Sequence, residues 1–198
     1  MKKTKILLDK PIVMVGLMGA GKTSVGRALS RALGIPFVDS DKEIEAAAGA
    51  SVVDIFSMYG EQEFRRAEKS VIERLLDSEP KVKVISTGEG AFITPAVREM
   101  VLKRAVSIWL KADLDLLVKR TNFRRTRPQL LNNDSRAILS QLIDERYDTY
   151  AMANIMVETH DESLRKTLDA VLKTLEQYQT KNKPGVETHQ KQQTQQKG

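Results

Sequence analysis

The chain has 198 residues, of which 41% are hydrophobic and 29% are charged, a balance typical of one globular domain. It contains no cysteine, which excludes disulfides and thiolate metal sites, and its two histidines argue against histidine-based metal or triad chemistry. The formal charge of +6 comes from the two ends, since residues 11–180 carry 24 basic and 24 acidic side chains, and it therefore indicates no basic face for nucleic acid.

The two ends of the chain carry no sign of a membrane anchor. Residues 1–11 are basic but hold only a three-residue apolar stretch, which is too short for a signal peptide. No apolar run approaches the roughly 20 residues of a membrane span. Residues 181–198 are rich in glutamine and lysine and lack aromatic residues, which predicts a disordered polar tail. We expect a cytoplasmic protein with one domain in residues 1–180 and no membrane or nucleic-acid partner.

Short apolar runs and helical patterns alternate along the body of the chain. The predicted strands are PIVMVGL, IPFVD, VKVIST, VSIWLK and NIMVET, each apolar enough to be covered on both faces. The predicted helices cover residues 24–34, 63–76, 94–104, 113–121, 135–153 and 162–178. This alternation predicts right-handed β-α-β crossovers and a three-layer α/β/α fold, in which helices cover both faces of a parallel sheet. Ligands of such sheets bind beyond the carboxyl ends of the strands.

The first predicted strand is followed by GLMGAGKT, residues 16–23, which matches the phosphate-loop pattern GxxxxGK[ST] between a strand and a helix. Its glycines allow consecutive backbone N–H groups to turn inward around a polyphosphate. In this pattern Lys22 reaches the β- and γ-phosphates, and the Thr23 hydroxyl is placed for Mg²⁺. The loop therefore predicts nucleotide binding.

The segment VDSDKEIE follows the second predicted strand and has two interpretations. Ser40 and Glu43 have the spacing of a capping box, so the segment can begin a helix. Asp39 and Asp41 can also face the phosphate loop, one carboxylate serving a magnesium shell and the other a substrate hydroxyl. The two interpretations are compatible, because a cap would fix the directions of both aspartates.

The segment YGEQEFRRAEKS places Arg65 beside the apolar stripe of a predicted helix, with Glu68 three residues further on. An arginine oriented in this way can grip an anionic substrate with its planar fork, and a solvated helix surface is the alternative. For Arg66 we expect the solvated surface.

The segment VISTGEGAF, residues 84–92, ends an apolar run with two glycines that flank Glu89. Glycines in this position let the backbone come close to another group and tolerate positive φ, whereas glutamate has neither freedom. We expect Glu89 to keep ordinary backbone angles and to turn its carboxylate away from the site, towards solvent or a neighbouring basic group.

The segment NFRRTRPQLLNN, residues 122–133, holds three arginines between two predicted helices. It fits either a basic surface loop or a mobile loop that closes over phosphates, excludes water and supplies positive charge. Arg146, in IDERYDTY, carries no special signal of its own, and a salt bridge on a helix surface would be the usual expectation for it.

Together these motifs resemble the shikimate kinases. The resemblance rests on GLMGAGKT, DSD, IFSMYGEQEFR, ISTGEGAF, RTRPQLL and DERYDTYA, and covers about residues 10–175. It implies the nucleoside-monophosphate-kinase-like fold, with a five-stranded parallel sheet, a small substrate-binding helical region at about residues 41–70 and a lid at about residues 121–134. It also implies a monomer that transfers phosphate from ATP to the 3-hydroxyl of shikimate.

The resemblance further implies roles for individual residues on the nucleotide side. Mg²⁺ would accompany ATP, ligated by Thr23 with Asp39 acting through the water shell of the ion. Lys22 and the lid arginine Arg127 would serve catalysis at the phosphates, and Arg120 would lie against adenine. The implied ATP-binding set is Gly19, Ala20, Gly21, Lys22, Thr23, Ser24, Arg120 and Arg127.

On the substrate side the resemblance implies that Asp41 binds the shikimate hydroxyls and accepts or orients the proton of the attacking 3-hydroxyl. Arg65 and Arg146 would clamp the shikimate carboxylate. The backbone of the loop formed by Gly88, Glu89 and Gly90 would meet the substrate ring.

The chain departs from the family pattern in three places. The glycine triplet of the substrate loop reads Gly-Glu-Gly, Gln129 replaces a leucine of the lid, and THDES stands after the last strand where the family often has an arginine. Two alternatives to a shikimate kinase follow. One is another small-molecule kinase of this fold, such as a gluconate kinase, and the other is a binding protein that Glu89 has made catalytically silent.

Overall fold

A computed structural model describes residues 9–122 and 135–182. Its centre is a parallel sheet of five strands in the order β2-β3-β1-β4-β5. The strands are β1 (Ile12–Val15), β2 (Phe37–Asp39), β3 (Val84–Ser86), β4 (Val106–Ala112) and β5 (Ile155–Thr159). The α/β class, the parallel sheet and its five strands are as the sequence predicts.

The described residues also form seven α-helices and one short 3₁₀ turn. The helices are α1 (Lys22–Leu33), α2 (Ser40–Ala48), α3 (Val52–Asp77), α4 (Pro95–Arg104), α5 (Leu114–Asn122), α6 (Ser135–Tyr150) and α7 (Leu164–Lys181), and the turn is Ala91–Ile93. Every residue of β1 and β3 is buried, so both faces of the central strands are covered by helices. The core therefore lies on both sides of the sheet, and the strand ends are left to form a site.

The strand β5 differs from its prediction. It lies at the edge of the sheet, and its residues alternate between buried and exposed, with Met156 and Glu158 facing outward. Helix α7 packs against β5, and only one face of the strand is covered in the described part of the chain. The apolar run NIMVET did not distinguish an edge strand from a central one.

Helix α3 is longer than predicted and is interrupted. The pattern predicted residues 63–76, whereas the helix spans Val52–Asp77 with a break at Gly60, whose φ of 78° and ψ of 174° are not helical. Helix α3 packs against α2, with the Val52 N–H of its first half donating to Glu45 at 3.2 Å and Arg74 of its second half pairing with Glu43 at 2.8 Å. The second half carries the predicted stripe.

The ends of the described segments bear on two further predictions. Helix α7 continues to Lys181 and is capped at Asn182, so the first residue of the predicted tail is helical. Residues 183–198 and most of the predicted lid, with Arg127 and Gln129, lie outside the described residues. Within residues 9–122 and 135–182 no helix is both long and apolar enough to cross a membrane.

Candidate active site

A cleft of about 480 Å³ opens at the carboxyl ends of β1, β2 and β3, where parallel sheets bind ligands. Its lining includes the whole sequence stretch Met18–Val25, with Asp39, Asp41, Ser86 and Thr87 on the strand side. The predicted phosphate loop and the predicted aspartates therefore share one cavity.

The phosphate loop is shaped by glycines in left-handed backbone conformations. Gly19 and Gly21 have φ values of 79° and 100°, and Gly21 is the residue that precedes helix α1. The first backbone N–H groups of a helix have no partner within it, and helix N-termini therefore form anion sites. The buried Lys22 ammonium donates to the carbonyls of Gly16 at 2.7 Å and Leu17 at 3.0 Å. The loop thus holds its own lysine beside the amides.

A cluster of three oxygen-bearing side chains lies beside this loop. The Thr23 hydroxyl donates to Asp39 Oδ2 at 3.1 Å and lies 3.2 Å from the Ser86 hydroxyl. Hydroxyl and carboxylate oxygens suit Mg²⁺, which is usually held by one or two protein groups together with substrate phosphates and water. In the described part of the chain no group of three His, Cys, Asp or Glu residues could hold a metal. The cluster therefore fits an ion that arrives with a nucleotide.

The capping box predicted for Ser40 and Glu43 is wrong. Helix α2 is capped by Asp39, whose Oδ1 accepts from the Asp41 backbone N–H at 3.2 Å. The Ser40 hydroxyl is buried and makes no hydrogen bond with the described residues. Asp39 thus divides its two oxygens between the helix and Thr23, and the cap fixes the direction of this carboxylate.

A second group of side chains comes from helix α3. Arg65 Nη1 donates to Glu68 Oε2 at 2.8 Å, and the guanidinium also contacts the exposed Glu61 at 3.2 Å. The Cζ atom of Arg65 lies 5.3 Å from the centroid of the Phe64 ring, which is within the range of cation–π attraction. Arg65 is therefore oriented by Glu68, as the three-residue spacing predicts. Arg66 instead forms an exposed pair with Glu63 at 2.5 Å, as expected of a solvated surface.

Burial makes this ion pair electrostatically unusual. Burial raises the pKa of Glu68 above that of an ordinary glutamate, Arg65 opposes the shift, and the nearby Asp41 and Glu89 carboxylates add to it. Burial by itself lowers the pKa of Arg65, but Glu68 and Glu61 outweigh it and the pKa is raised. A fixed guanidinium therefore lies beside two carboxylates, those of Glu68 and Glu61.

The glycine loop is where the side chains of the second group meet. A Cβ added to Gly88 would lie 2.8 Å from Asp41 Oδ1 and 2.9 Å from Glu68 Oε1. A Cβ added to Gly90 would lie 2.4 to 2.6 Å from the Arg65 guanidinium. Neither glycine has a positive φ, so close approach, and not backbone freedom, is what requires glycine here. Asp41 thus borders both the cleft and this loop.

Glu89 does not turn away from the site, and that prediction is wrong. Its Oε1 lies 3.8 Å from Nη1 of Arg146 on helix α6, and the two side chains are only 15% and 21% exposed. The backbone of Glu89 is ordinary, as expected, because no described residue other than glycine has a positive φ. The neighbouring basic group is therefore the arginine that the resemblance assigns to the substrate carboxylate.

Tyr150, which was not predicted from the sequence, holds the backbone of the loop at residues 88–90. Its hydroxyl donates to the Glu89 carbonyl at 2.5 Å, and the side chain is fully buried and stacked on Trp109 at 6.0 Å between centroids. Burial raises the pKa of Tyr150 well above its ordinary value, so the hydroxyl remains a donor. Tyrosine in a helical pattern gave no signal of this contact.

The far end of the cleft is formed by Arg120 and the segment after β5. Arg120 donates to the Gly19 carbonyl at 3.5 Å and to the His160 carbonyl at 3.1 Å. Glu162, Leu164 and Thr167 line the cleft beside it. THDES, which departs from the family pattern, thus contributes a wall to the site.

Comparisons with known proteins agree on one family. A family model described as shikimate kinase matches residues 18–176. The chain is 48% identical over 171 residues to a shikimate kinase of Paramagnetospirillum magneticum, covering 86% of this chain and 87% of the relative. It is 46% identical to a shikimate kinase of Caulobacter vibrioides, covering 86% and 84%. A solved shikimate kinase from Acinetobacter baumannii in complex with shikimate is 34% identical with a TM-score of 0.79, covering 89% of this chain and 96% of that one.

Proposed function

The chain belongs to the shikimate kinase family, and we propose how its own residues carry out the ATP-dependent phosphorylation of the shikimate 3-hydroxyl. The observation that carries the proposal is the position of Asp41. It borders the phosphate-loop cleft and also packs against Gly88, in the loop where Arg65, Glu68 and Arg146 converge. A carboxylate at this junction lies between a nucleotide and a small anionic substrate.

On the nucleotide side, we propose that the loop amides of Gly19, Ala20, Gly21 and Ser24 and the Lys22 ammonium hold the ATP phosphates. Thr23 would ligate Mg²⁺, with Asp39 acting through the water shell, since the two side-chain oxygens lie 3.1 Å apart beside the phosphate loop. When bound, the ion neutralises charge on the phosphates. Arg120 would flank the base, because it bridges the phosphate loop and the segment after β5.

Lys22 would act mainly through charge. Phosphoryl transfer needs positioning and electrostatic stabilisation more than covalent chemistry from the protein. Lys22 is buried at the N-terminus of α1, where its charge is little screened by water. From the family resemblance we propose that Arg127 adds a second positive charge from the lid.

On the substrate side, we propose that Arg65 and Arg146 bind the shikimate carboxylate while the backbone of residues 88–90 meets the ring. Arg65 is pre-oriented by the buried Glu68, which lowers the cost of fixing its long side chain on binding. The clamp positions the ring so that Asp41 can accept the proton of the 3-hydroxyl as that oxygen attacks the γ-phosphate.

A coupled ADP-release assay with shikimate and gluconate tested in parallel checks the proposed substrate. We expect ADP release that depends on shikimate and on Mg²⁺, with a phosphate monoester on the 3-oxygen identified by phosphorus and proton NMR of the product. Turnover of gluconate in preference to shikimate, or binding of shikimate without ADP release, would contradict the proposal.

A further inference from the structure

Glu89 lies beside Arg146, the arginine with a proposed role in binding the substrate carboxylate. Its carboxylate lies 3.8 Å from Arg146 Nη1, a nitrogen that is buried and makes no hydrogen bond with the described residues. Both side chains are largely shielded from water, so the pair is not one of the solvent-exposed ion pairs that contribute little. Arg146 therefore already has an anionic partner supplied by the protein.

The charges around the loop are unequal. Three carboxylates, those of Asp41, Glu68 and Glu89, approach it, against the two guanidinium groups of Arg65 and Arg146. A substrate carboxylate would add a fourth negative charge to a site with two positive ones. Like charges within a few ångströms disfavour one another strongly in a shielded site. Binding of the substrate anion therefore requires Glu89 to leave Arg146.

We propose that the Glu89 carboxylate is an internal counter-ion of Arg146 that the substrate carboxylate displaces, so that Glu89 sets the affinity of this site for carboxylate-bearing substrates. The inference rests on the proposed role of Arg146 and extends it to a residue in the glycine triplet. Glu89 is thus a specificity-determining residue for the reaction.

The construction of the loop allows this exchange without moving the backbone. Tyr150 holds the Glu89 carbonyl, and the backbone angles of Glu89 are ordinary. Release of Arg146 therefore needs only rotation of the Glu89 side chain, while the backbone that faces the substrate ring stays in place. The exchange also keeps Arg146 paired throughout, since an unpaired buried charge is costly.

The experiment measures shikimate binding and turnover for the full chain and two variants. Glu89→Gln keeps the size of the side chain and removes its charge, and Glu89→Gly removes both. We expect each variant to lower the Kd and KM for shikimate about three- to tenfold, with the KM for ATP unchanged. Without substrate, each variant should also have a lower Tm, because Arg146 loses its counter-ion. A residue with a merely structural role would weaken binding and stability together.

Two controls separate charge at this position from charge elsewhere. Glu63→Gln removes one carboxylate from the exposed pair with Arg66 and should leave the KM for shikimate unchanged. In an Arg146→Gln background, Glu89→Gln should no longer lower the KM, because the two residues act through one contact.

Several results would overturn the proposal. An unchanged or raised Kd for shikimate in Glu89→Gln would show that the carboxylate does not compete with substrate. A lower KM in Glu89→Gly alone would assign the effect to side-chain size. If neither the wild-type chain nor any variant releases ADP with shikimate, the proposed function fails, whereas wild-type turnover with no change in the variants rejects only the role of Glu89.

Discussion

The two halves of the active site are built in different ways. The proposed nucleotide half centres on one continuous stretch, residues 16–23, whose Lys22 is held by carbonyls of the same stretch. The substrate half is assembled from charged side chains of α2, α3 and α6 that meet on the loop at residues 88–90. Among them, Arg65 pairs with Glu68, and Arg146 lies beside Glu89.

This difference determines what each half can tolerate. Backbone groups are not removed by substitution, so the proposed nucleotide half depends on few side chains, of which Lys22 would act at the reacting phosphate. The substrate half balances charges against one another, so a change in one residue alters the orientation or charge of its partners. We therefore expect nucleotide-side substitutions to change kcat and substrate-side substitutions to change the KM for shikimate.

The largest effect is expected for Lys22→Ala. Loss of the buried ammonium at the phosphate loop should lower kcat about 10²-fold or more, since it removes stabilisation of developing charge on the transferred phosphoryl group. Circular dichroism should remain that of the wild type, and the exposed Lys69→Ala serves as the matched control. A Lys22→Ala variant that retains most of its turnover would contradict the expectation that nucleotide-side substitutions change kcat.

A smaller effect is expected for Arg65→Lys. Lysine cannot reproduce a planar fork, and a lost charge-assisted hydrogen bond costs about 1.5–3 kcal/mol, which corresponds to about a 10- to 100-fold rise in the KM for shikimate. The KM for ATP should be almost unchanged. Steady-state kinetics with each substrate varied in turn provides the measurement, and a rise confined to the KM for ATP would reject the carboxylate clamp.

Gly90→Ala should also disturb Arg65, through a steric clash in place of a change in the arginine itself. The added Cβ would lie within 2.6 Å of the Arg65 guanidinium, so the flexible end of that side chain has to move. We expect the KM for shikimate to rise about tenfold while the protein folds normally, because the backbone angles of Gly90 are allowed for alanine. In an Arg65→Lys background the same substitution should have little further effect. Equal additional losses in both backgrounds would show that Gly90 acts through another group.

The smallest effect concerns the pH dependence of stability. Because burial raises the pKa of Glu68, the folded state holds this proton more tightly than the unfolded state does. Stability contributed by this group should therefore fall as the pH rises from the ordinary glutamate value of 4.5 through the raised value. Urea unfolding at a series of pH values should show this slope in the wild type and not in Glu68→Gln. If the free energy of unfolding of the wild type rose relative to that of the variant over this pH interval, the prediction would be contradicted.

The sequence was informative wherever the determinants are local. The phosphate loop, the strands around it and the pairing of Arg65 with Glu68 each depend on residues within a few positions of one another, and spacing alone predicts them. Capping of α2 was predicted at the wrong residue. Asp39 serves as the cap through Oδ1, and its Oδ2 accepts from Thr23, a contact between distant segments.

Contacts between distant segments also explain the remaining errors. The direction of Glu89 is set by Arg146, and the rigidity of its loop by Tyr150, both on α6. Ser86 joins the candidate metal cluster only because β3 lies next to β1 in the sheet. The order of the strands in the sheet creates these neighbours, and the sequences of the strands do not reveal that order. A rule that strand-end serines and threonines border the site would have found Ser86.

The central claim is that two arginines of this chain read the carboxylate of shikimate, and a neutral substrate analogue tests it most directly. The carboxamide of shikimate keeps the ring and all three hydroxyls but carries no charge. We expect kcat/KM for the amide to be lower than that for shikimate by about tenfold or more, because the amide can neither pair with the arginines nor displace Glu89. Equal use of shikimate and its amide would contradict the account.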